Sequence, residues 1–502
     1  QRLVQGLLFL VVLAAGVYFV SSLEVYRGHR AHRAYLAEME ARREPMRLEQ
    51  VVPAAVPDAQ NLAMAPLLAP LLDYEVDAVS EQVRLRNPQG EERVKVLQLD
   101  RPKGDSFRAF SSRVLRPERT WLSGQRVDLE VWDAYLSGRT NLGESVSVEA
   151  AARGVLRGME RFEPLLEELS TAALERPQMR FPVRYQDGFA ALLPHLARMR
   201  SITEVLQLRA VARLRTGDVE GAFRDIGLGF RLRDGIAMEP LLISLLVRAT
   251  MESTLYQPIW EGCQDHRWTE GQLKALQEMV GREPSIPALI RAMRGERVMA
   301  DRLFEALVEA KKGGPKLEWF VDAGGTDAGF WSAMRLMNRG WLQQNRVVHG
   351  RFLQGGIDAL EKHSRHDQLP SLDDGVLQMH GKRSVYGVVA ATLAPAIDKA
   401  IGRAFEMESR RRLALTGLGL ERHRLAHGAY PAELKGLAPA MVEAEWLTDP
   451  MDGAPMRYAA RADGTYLLYS VGLDHRDDAG ARMAREPRKM GGGGSPKGDL
   501  VW

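Results

Sequence analysis

Residues 203–234, TEVLQLRAVARLRTGDVEGAFRDIGLGFRLRD, decide the fold class. Leu206, Ala210 and Leu214, then Ala222, Phe223, Ile226 and Phe230, recur at three- and four-residue spacing. That is the period of an amphipathic helix, not the alternation of a strand. Between the two runs, Thr216-Gly217-Asp218 supplies a stop and a start. Glycine takes the left-handed backbone that ends a helix, and an aspartate side chain caps the N–H groups opening the next. The stretch therefore predicts two helices folded back on each other, with small Ala210 and Ala222 permitting close approach.

This pair resembles one tetratricopeptide unit. Only one such unit is recognisable, and an isolated αα-hairpin is the plainer reading. Helical periodicity extends on both sides, from about Asp128 to Gln354. Met238 to Cys263 carries a dense apolar stretch that runs into Arg248 and Glu252, so it reads as a buried helix and not as a membrane span. Thr269 is the expected N-cap of the helix after it. Gly313-Gly314-Pro315 and Gly324-Gly325 mark loops, and the aromatic group Trp319, Phe320, Phe330, Trp331 and Trp341 reads as core packing. Upstream, residues 83–99 (VRLRNPQGEERVKVLQL) alternate around Asn-Pro-Gln-Gly and predict a β-hairpin.

The chain has 502 residues, enough for about three domains at roughly 150 residues each. Lys and Arg total 68 against 65 Asp and Glu, which argues against a nucleic-acid binder with its concentrated basic excess. The single cysteine, Cys263, excludes an intrachain disulfide and a cysteine-built metal site.

Residues 3–23, LVQGLLFLVVLAAGVYFVSSL, contain no charge. At about 1.5 Å per residue, this length matches the ~30 Å hydrocarbon core of a bilayer. It is longer than the apolar stretch of a signal peptide and lacks a clear cleavage site, so it predicts an uncleaved single-pass anchor. Arg2 precedes it, while Arg27, Arg30 and Arg33 follow, which taken literally places the large domain in the cytoplasm. Because the chain opens on Gln1 and not Met, residues are expected to be missing ahead of it; basic ones among them would reverse that placement, so flanking charge leaves orientation open. Glu24 to Glu44 reads as a charged helical stalk, with His29, His32 and Arg33 forming a solvated or headgroup-facing surface. Pro53, Pro57, Pro66 and Pro70 then punctuate an extended linker packed onto the body.

Catalytic signatures are missing: no HExxH, GxSxG or GxxxxGK[ST] motif occurs. The glycine run Gly491 to Gly498 holds a lysine, but no helix follows to cradle phosphate. His423 and His427 share a helical face at i, i+4, yet no third ligand is evident and a solvated face is expected. His363, His366 and Asp367 are read the same way. No enzyme is predicted.

The specific signal lies at the other end. A long helix, 396–427, stops at Gly428-Ala429-Tyr430-Pro431, because proline cannot continue it. Asp452-Gly453 and Asp463-Gly464 are turn signals flanking short strands, Met456 to Ala459 and Thr465 to Ser470, and Asp499 to Trp502 forms a final strand or tail. The order Tyr430-Pro431, Asp449-Pro450, Pro455, Tyr458, Tyr469-Ser470, Gly472, Asp474, Asp499 and Trp502 resembles the C-terminal domain of the major pseudopilin of bacterial type II secretion. The resemblance covers roughly the last fifth of the chain. The whole chain also resembles a group of bacterial membrane-anchored proteins ending in this module, which implies no activity. Two departures stand out. A pseudopilin carries its membrane segment at the start of this same helix, behind a peptidase-cut motif that is absent here, so polymerisation is not expected. Family members also bind calcium in the C-terminal loop, which implies Asp474, Asp477, Asp478 and Asp499 as metal ligands. Here His475 and Arg476 interrupt that loop and a long insertion, 479–498, follows; a solvated acidic turn is the alternative.

The expected fold is mainly α: a transmembrane helix, a helical body, and a small C-terminal α+β pseudopilin-like domain with an antiparallel sheet. The expected domains are anchor and stalk (1–50), helical body with the tetratricopeptide-like hairpin (51–390) and C-terminal module (391–502). The functional expectation is a single-pass scaffold or interaction protein of the bacterial inner membrane, its soluble part periplasmic as the resemblance implies. It would contact the membrane through residues 3–23 and an unidentified protein partner, with no cofactor other than calcium implied. The alternatives are an envelope hydrolase or transferase with its site inside the helical body, or a component of a secretion apparatus.

Overall fold

The computed structural model describes residues 2–76, 83–99, 121–139, 146–310, 337–364, 386–482 and 498–502. The main helices run in chain order as α1 (Arg2–Ala41), α2 (Pro88–Val96), α3 (Leu129–Leu136), α4 (Val148–Met159), α5 (Glu163–Glu175) and α6 (Pro194–Thr216). They continue as α7 (Val219–Ala237), α8 (Leu242–Gln264), α9 (Glu270–Gly281), α10 (Ser285–Ala310), α11 (Arg339–Ser364) and α12 (Val388–His427). Strands β1 (Tyr74–Val76) and β2 (Val83–Leu85) form one antiparallel pair, and β3 (Arg457–Ala460), β4 (Tyr466–Ser470) and β5 (Leu500–Val501) form an antiparallel sheet in that order. The chain is mainly α with a small sheet near its C-terminus, as expected.

Local rules predict α6, α7 and α9 well. Gly217 ends α6 at φ +86°, and Asp218 caps α7 by accepting the Gly221 N–H at 2.9 Å. Thr269 caps α9, with Gln272 returning the bond to the Thr269 N–H. The β-hairpin expected at 83–99 is corrected. Only Val83–Leu85 is strand, and its partner is the earlier Tyr74–Val76. Asn87-Pro88 is a helix start and not a turn: the Asn87 side chain accepts the Gly90 N–H at 2.8 Å, and Pro88 fits a first turn that needs no N–H from it.

Helices α6, α7 and α8 form a wall with a core on each side. One core joins α2 to α7 with the proline-punctuated segment, through Leu62, Leu68, Phe162 and Val205. The other joins α8, α9, α10, α11 and α12 with the C-terminal sheet, through Tyr256, Leu276, Leu415, Leu468 and Trp502. The sheet and the helical body thus share one hydrophobic interior. Trp502 meets the Trp121 ring edge-on at 5.3 Å between centroids and lies against Gly417 of α12.

Helix α1 divides in the middle. From Val4 to Val20 its large apolar side chains are between 54% and 76% exposed. From Gly28 onward it packs on α10 and α11, burying Gly28, His32, Tyr35 and Met39, a four-three-four spacing along one face. The reading of this stretch as a solvated surface is corrected for His32, which lies 3.7 Å from Asp301. Asp301 also receives both arms of Arg346, at 2.5 Å. Past the helix end, Glu44 receives Arg294 and Arg297 of α10, each at 2.8 Å.

Two predictions follow from this seam. A side chain at Gly340 would run into the Glu24 carbonyl, and one at Gly28 into the backbone of Gly340. Gly340→Val should therefore cost about 1–3 kcal/mol in thermal or denaturant unfolding, the usual range for overpacking. Gly6→Ala, at a position with nothing nearby, should leave the midpoint unchanged. The second concerns His349, buried beside Phe304, whose pKa burial lowers to about 4 while the Asp301 charge opposes. Between pH 6.5 and about 4 the unfolded chain takes up a proton that the folded ring refuses, so the fold loses stability as pH falls through that window. His349→Leu should flatten the midpoint-versus-pH curve there, and an unchanged slope would sink the assignment.

Candidate functional site

The C-terminal module is built around one buried carboxylate. Asp449 accepts the Met451 N–H at 2.9 Å, the Ser470 hydroxyl at 2.7 Å, the Val471 N–H at 2.9 Å and Arg457 at 2.8 Å. Burial pushes its carboxyl up, and these donors pull it back. Arg457 also binds Asp452 and reaches Asp477 at 3.4 Å, so one guanidinium ties the turn before β3 to the loop after β4. Helix α12 ends at Gly428 with φ +77°; Tyr430 then donates to Glu421, and Tyr458 donates to the Pro431 carbonyl at 2.7 Å. The Tyr-Pro, Asp-Pro and Tyr-Ser positions quoted from the sequence are the residues that close this unit.

The four acidic candidates are neighbours, and the side-chain oxygens of Asp474, Asp477 and Asp499 accept hydrogen bonds, mostly from the backbone. Asp499, buried, accepts the Asp478 N–H at 3.1 Å and the Gly480 N–H at 2.8 Å. Asp474 accepts from the N–H groups of Arg476 at 3.3 Å and Gly498 at 3.4 Å. Asp477 accepts the Ala479 N–H at 2.9 Å and the Tyr469 hydroxyl at 3.0 Å. Asp478 enters this network through its N–H. Calcium requires roughly six to eight converging oxygens. Among the described residues, no group of three or more His, Cys, Asp or Glu side chains is placed to hold an ion. Through these bonds Asp474, Asp477 and Asp499 staple the loop after β4.

The other candidates resolve individually. His427 is exposed and His423 half-buried, and the two rings stack at 4.1 Å with their Nδ1 atoms on the carbonyls of His423 and Ala429, respectively. His366, Asp367 and most of the glycine run (491–497) lie outside the described residues, as do Gly313 to Pro315, Trp319, Phe320, Gly324-Gly325, Phe330 and Trp331. Cys263 is buried.

Several polar arrangements gave no motif in the sequence. His195 contacts Glu239 at 2.7 Å, and Ser244 donates to the other Glu239 oxygen at 2.5 Å. The carboxylate sits between histidine and serine, and all three are buried. Buried arginines sit on carboxylates, each of which takes a second arginine: Arg209 and Arg213 on Asp225, Arg233 and Arg248 on Glu252, Arg411 and Arg412 on Glu408. Burial works against the Glu408 charge, and Arg411 overcomes it, holding the carboxyl far below its usual range. A groove of about 880 Å³ runs between the apolar half of α1 and the start of α11, lined by Phe9, Leu13, Val17, Trp341 and Tyr386.

Removing the central carboxylate tests the module. Asp449→Ala should destabilise the chain by about 3–5 kcal/mol, the range for deleting one partner of a buried charged pair. Asp463→Ala, on the exposed β3–β4 turn, should melt with the parent protein.

Comparison with protein-family models, with curated proteins and with solved structures returns no match, so the functional reading rests on this chain's own geometry.

Proposed function

We propose that the chain is a membrane-anchored scaffold of the bacterial cell envelope that holds its C-terminal sheet module toward a protein partner, a secretion component in view of the pseudopilin resemblance.

The observation that carries this reading is the continuity of α1. One 40-residue helix has an apolar, exposed first half and a second half built into the body. An 18-residue window reaches a mean hydropathy of 2.3, long and apolar enough to cross a bilayer. Trp341 and Tyr386 line the groove beside Ser21 and Glu24, where the apolar run ends, and such amphipathic rings favour the membrane–water interface. With residues 3–23 in a bilayer, the Gly28–Gly340 contact would hold the body at a set height and tilt. A swinging tether would need a flexible joint after the anchor, and α1 has none. The sheet shares the core of α8, α9 and α12, so it would be held in the same frame. The periplasmic placement rests on the resemblance of the last fifth of the chain.

Two measurements test the reading. Replacing Leu10 and Val12 with arginine costs about 2.5–3.5 kcal/mol per residue at a bilayer centre. The double variant should move from the carbonate-resistant membrane fraction to the soluble fraction with its body still folded; retention in the membrane would refute the anchor. For orientation, a cysteine placed by Asp463→Cys in a Cys263→Ser background should react in intact cells with a thiol reagent that crosses only the outer membrane. Labelling only after lysis would put the body in the cytoplasm.

A further inference from the structure

A second cavity, of about 360 Å³, lies where α6, α8 and α12 meet, with Leu122 beside it. Three arginines line it, Arg200 from α6 and Arg403 and Arg410 from α12, against one lining carboxylate, Glu406. Glu406 is buried and takes both α12 arginines, Arg403 at 2.6 Å and Arg410 on the other oxygen. Burial works against its charge, but Arg410 and Arg403 hold its carboxyl below the usual range, so it is ionised. Its single negative charge is thus shared by two guanidinium groups while a third stands across the cavity.

Shared carboxylates and unpartnered arginine nitrogens occur elsewhere in the interior, as with Arg233 and Arg248 on Glu252; here the shared carboxylate and its arginines line a cavity. Where other carboxylates are shared, the second arginine has further acceptors: Arg412, which shares Glu408 with Arg411, also reaches the carbonyls of Glu445 and Thr448. At the cavity, Arg410 donates to Ser253 Oγ at 3.2 Å, while its Nε is buried without a hydrogen-bond partner among the described residues. Arg200 pairs with Glu204, one turn along its own helix, and 40% of its side chain stays exposed; 56% of Arg403 does. The guanidinium fork matches the planar or tetrahedral oxygens of carboxylate and phosphate. Leu246, Ala249 and Met407 give the rest of the wall an apolar part, with Thr250 and Ser253 beside it.

We propose that this cavity binds a small organic oxyanion, a carboxylate or phosphate head on the arginines with a short apolar substituent against Leu246, Ala249 and Met407. The volume falls at the small end of ligand pockets. The site is independent of the scaffold reading, since it needs neither the membrane nor a protein partner.

Isothermal titration of the full chain in nanodiscs tests it, with hexyl phosphate, hexanoate and inorganic phosphate as probes and hexyltrimethylammonium as the cationic control. Hexyl phosphate or hexanoate should bind, and whichever binds tighter identifies the head group. Hexyl phosphate should bind at least about tenfold more tightly than inorganic phosphate, since roughly two buried methylenes supply that factor. Arg200→Ser with Arg403→Ser, both partly exposed and so tolerable to the fold, should weaken binding of the hexyl probes about tenfold or more. Ala249→Leu should abolish the advantage of the hexyl chain and spare inorganic phosphate. The proposal is overturned if neither hexyl anion binds at millimolar concentration, if the cation binds equally well, or if the arginine variant, folded by circular dichroism, binds as the parent does.

Discussion

The contact between Gly28 and Gly340 is the constraint on which the arrangement of the molecule depends. Two helix backbones meet there at a distance that excludes any Cβ, so α1 and α11 lie against each other along the four-three-four face of Gly28, His32, Tyr35 and Met39. Farther along, Tyr35 packs on Gly350 in the same way. Glu44 then locks the end of the segment to α10 through Arg294 and Arg297, which hold its carboxyl at about 2 although burial opposes the charge. Small residues set the closeness of the helices, and the ion pairs set their register. An apolar helix half joined to such a seam has its direction fixed by the body.

Behind the seam, the interior is unusually rich in arginine. Burying an ion is expensive, and a buried pair is a weak source of net stability compared with apolar packing. Its effect is selective: a misplaced helix would strand a charge in the core at a cost of several kcal/mol. Arg209 with Asp225 joins α6 to α7 and Arg233 with Glu252 joins α7 to α8, while Glu408, paired with Arg411 on its own helix, accepts the Ser285 N–H at the start of α10. The Glu406 cluster shares its carboxylate in the same way, but its arginines line a cavity.

Much of the fold was legible because local backbone chemistry writes it. Gly217, Asp218, Thr269 and Gly428 stop and start helices by interactions spanning only a few residues, and the strands around Asp463-Gly464 follow from alternation and a turn. Asn87-Pro88 shows the ambiguity of such signals, since the same dipeptide serves a turn or a first helical turn and the flanking alternation favoured the wrong one. His32 was misread for a different reason. Its neighbours His29, Arg30 and Arg33 are charged and exposed, and the stripe that buries it is visible only when Gly28 and Met39 are counted with it.

The candidate site divides in the same way. Sequence alone determined the helical class, the uncharged run of residues 3–23, the short C-terminal strands and the cluster of Asp474, Asp477, Asp478 and Asp499. All of these depend on residues close together in the chain. Only the tertiary structure decided that Asp474, Asp477 and Asp499 point at backbone N–H groups, that the sheet shares its core with α8, α9 and α12, and that Arg200 lines one cavity with Arg403, Arg410 and Glu406. Side-chain direction and charge pairing across two hundred residues depend on how helices cross, and no spacing along the chain encodes that.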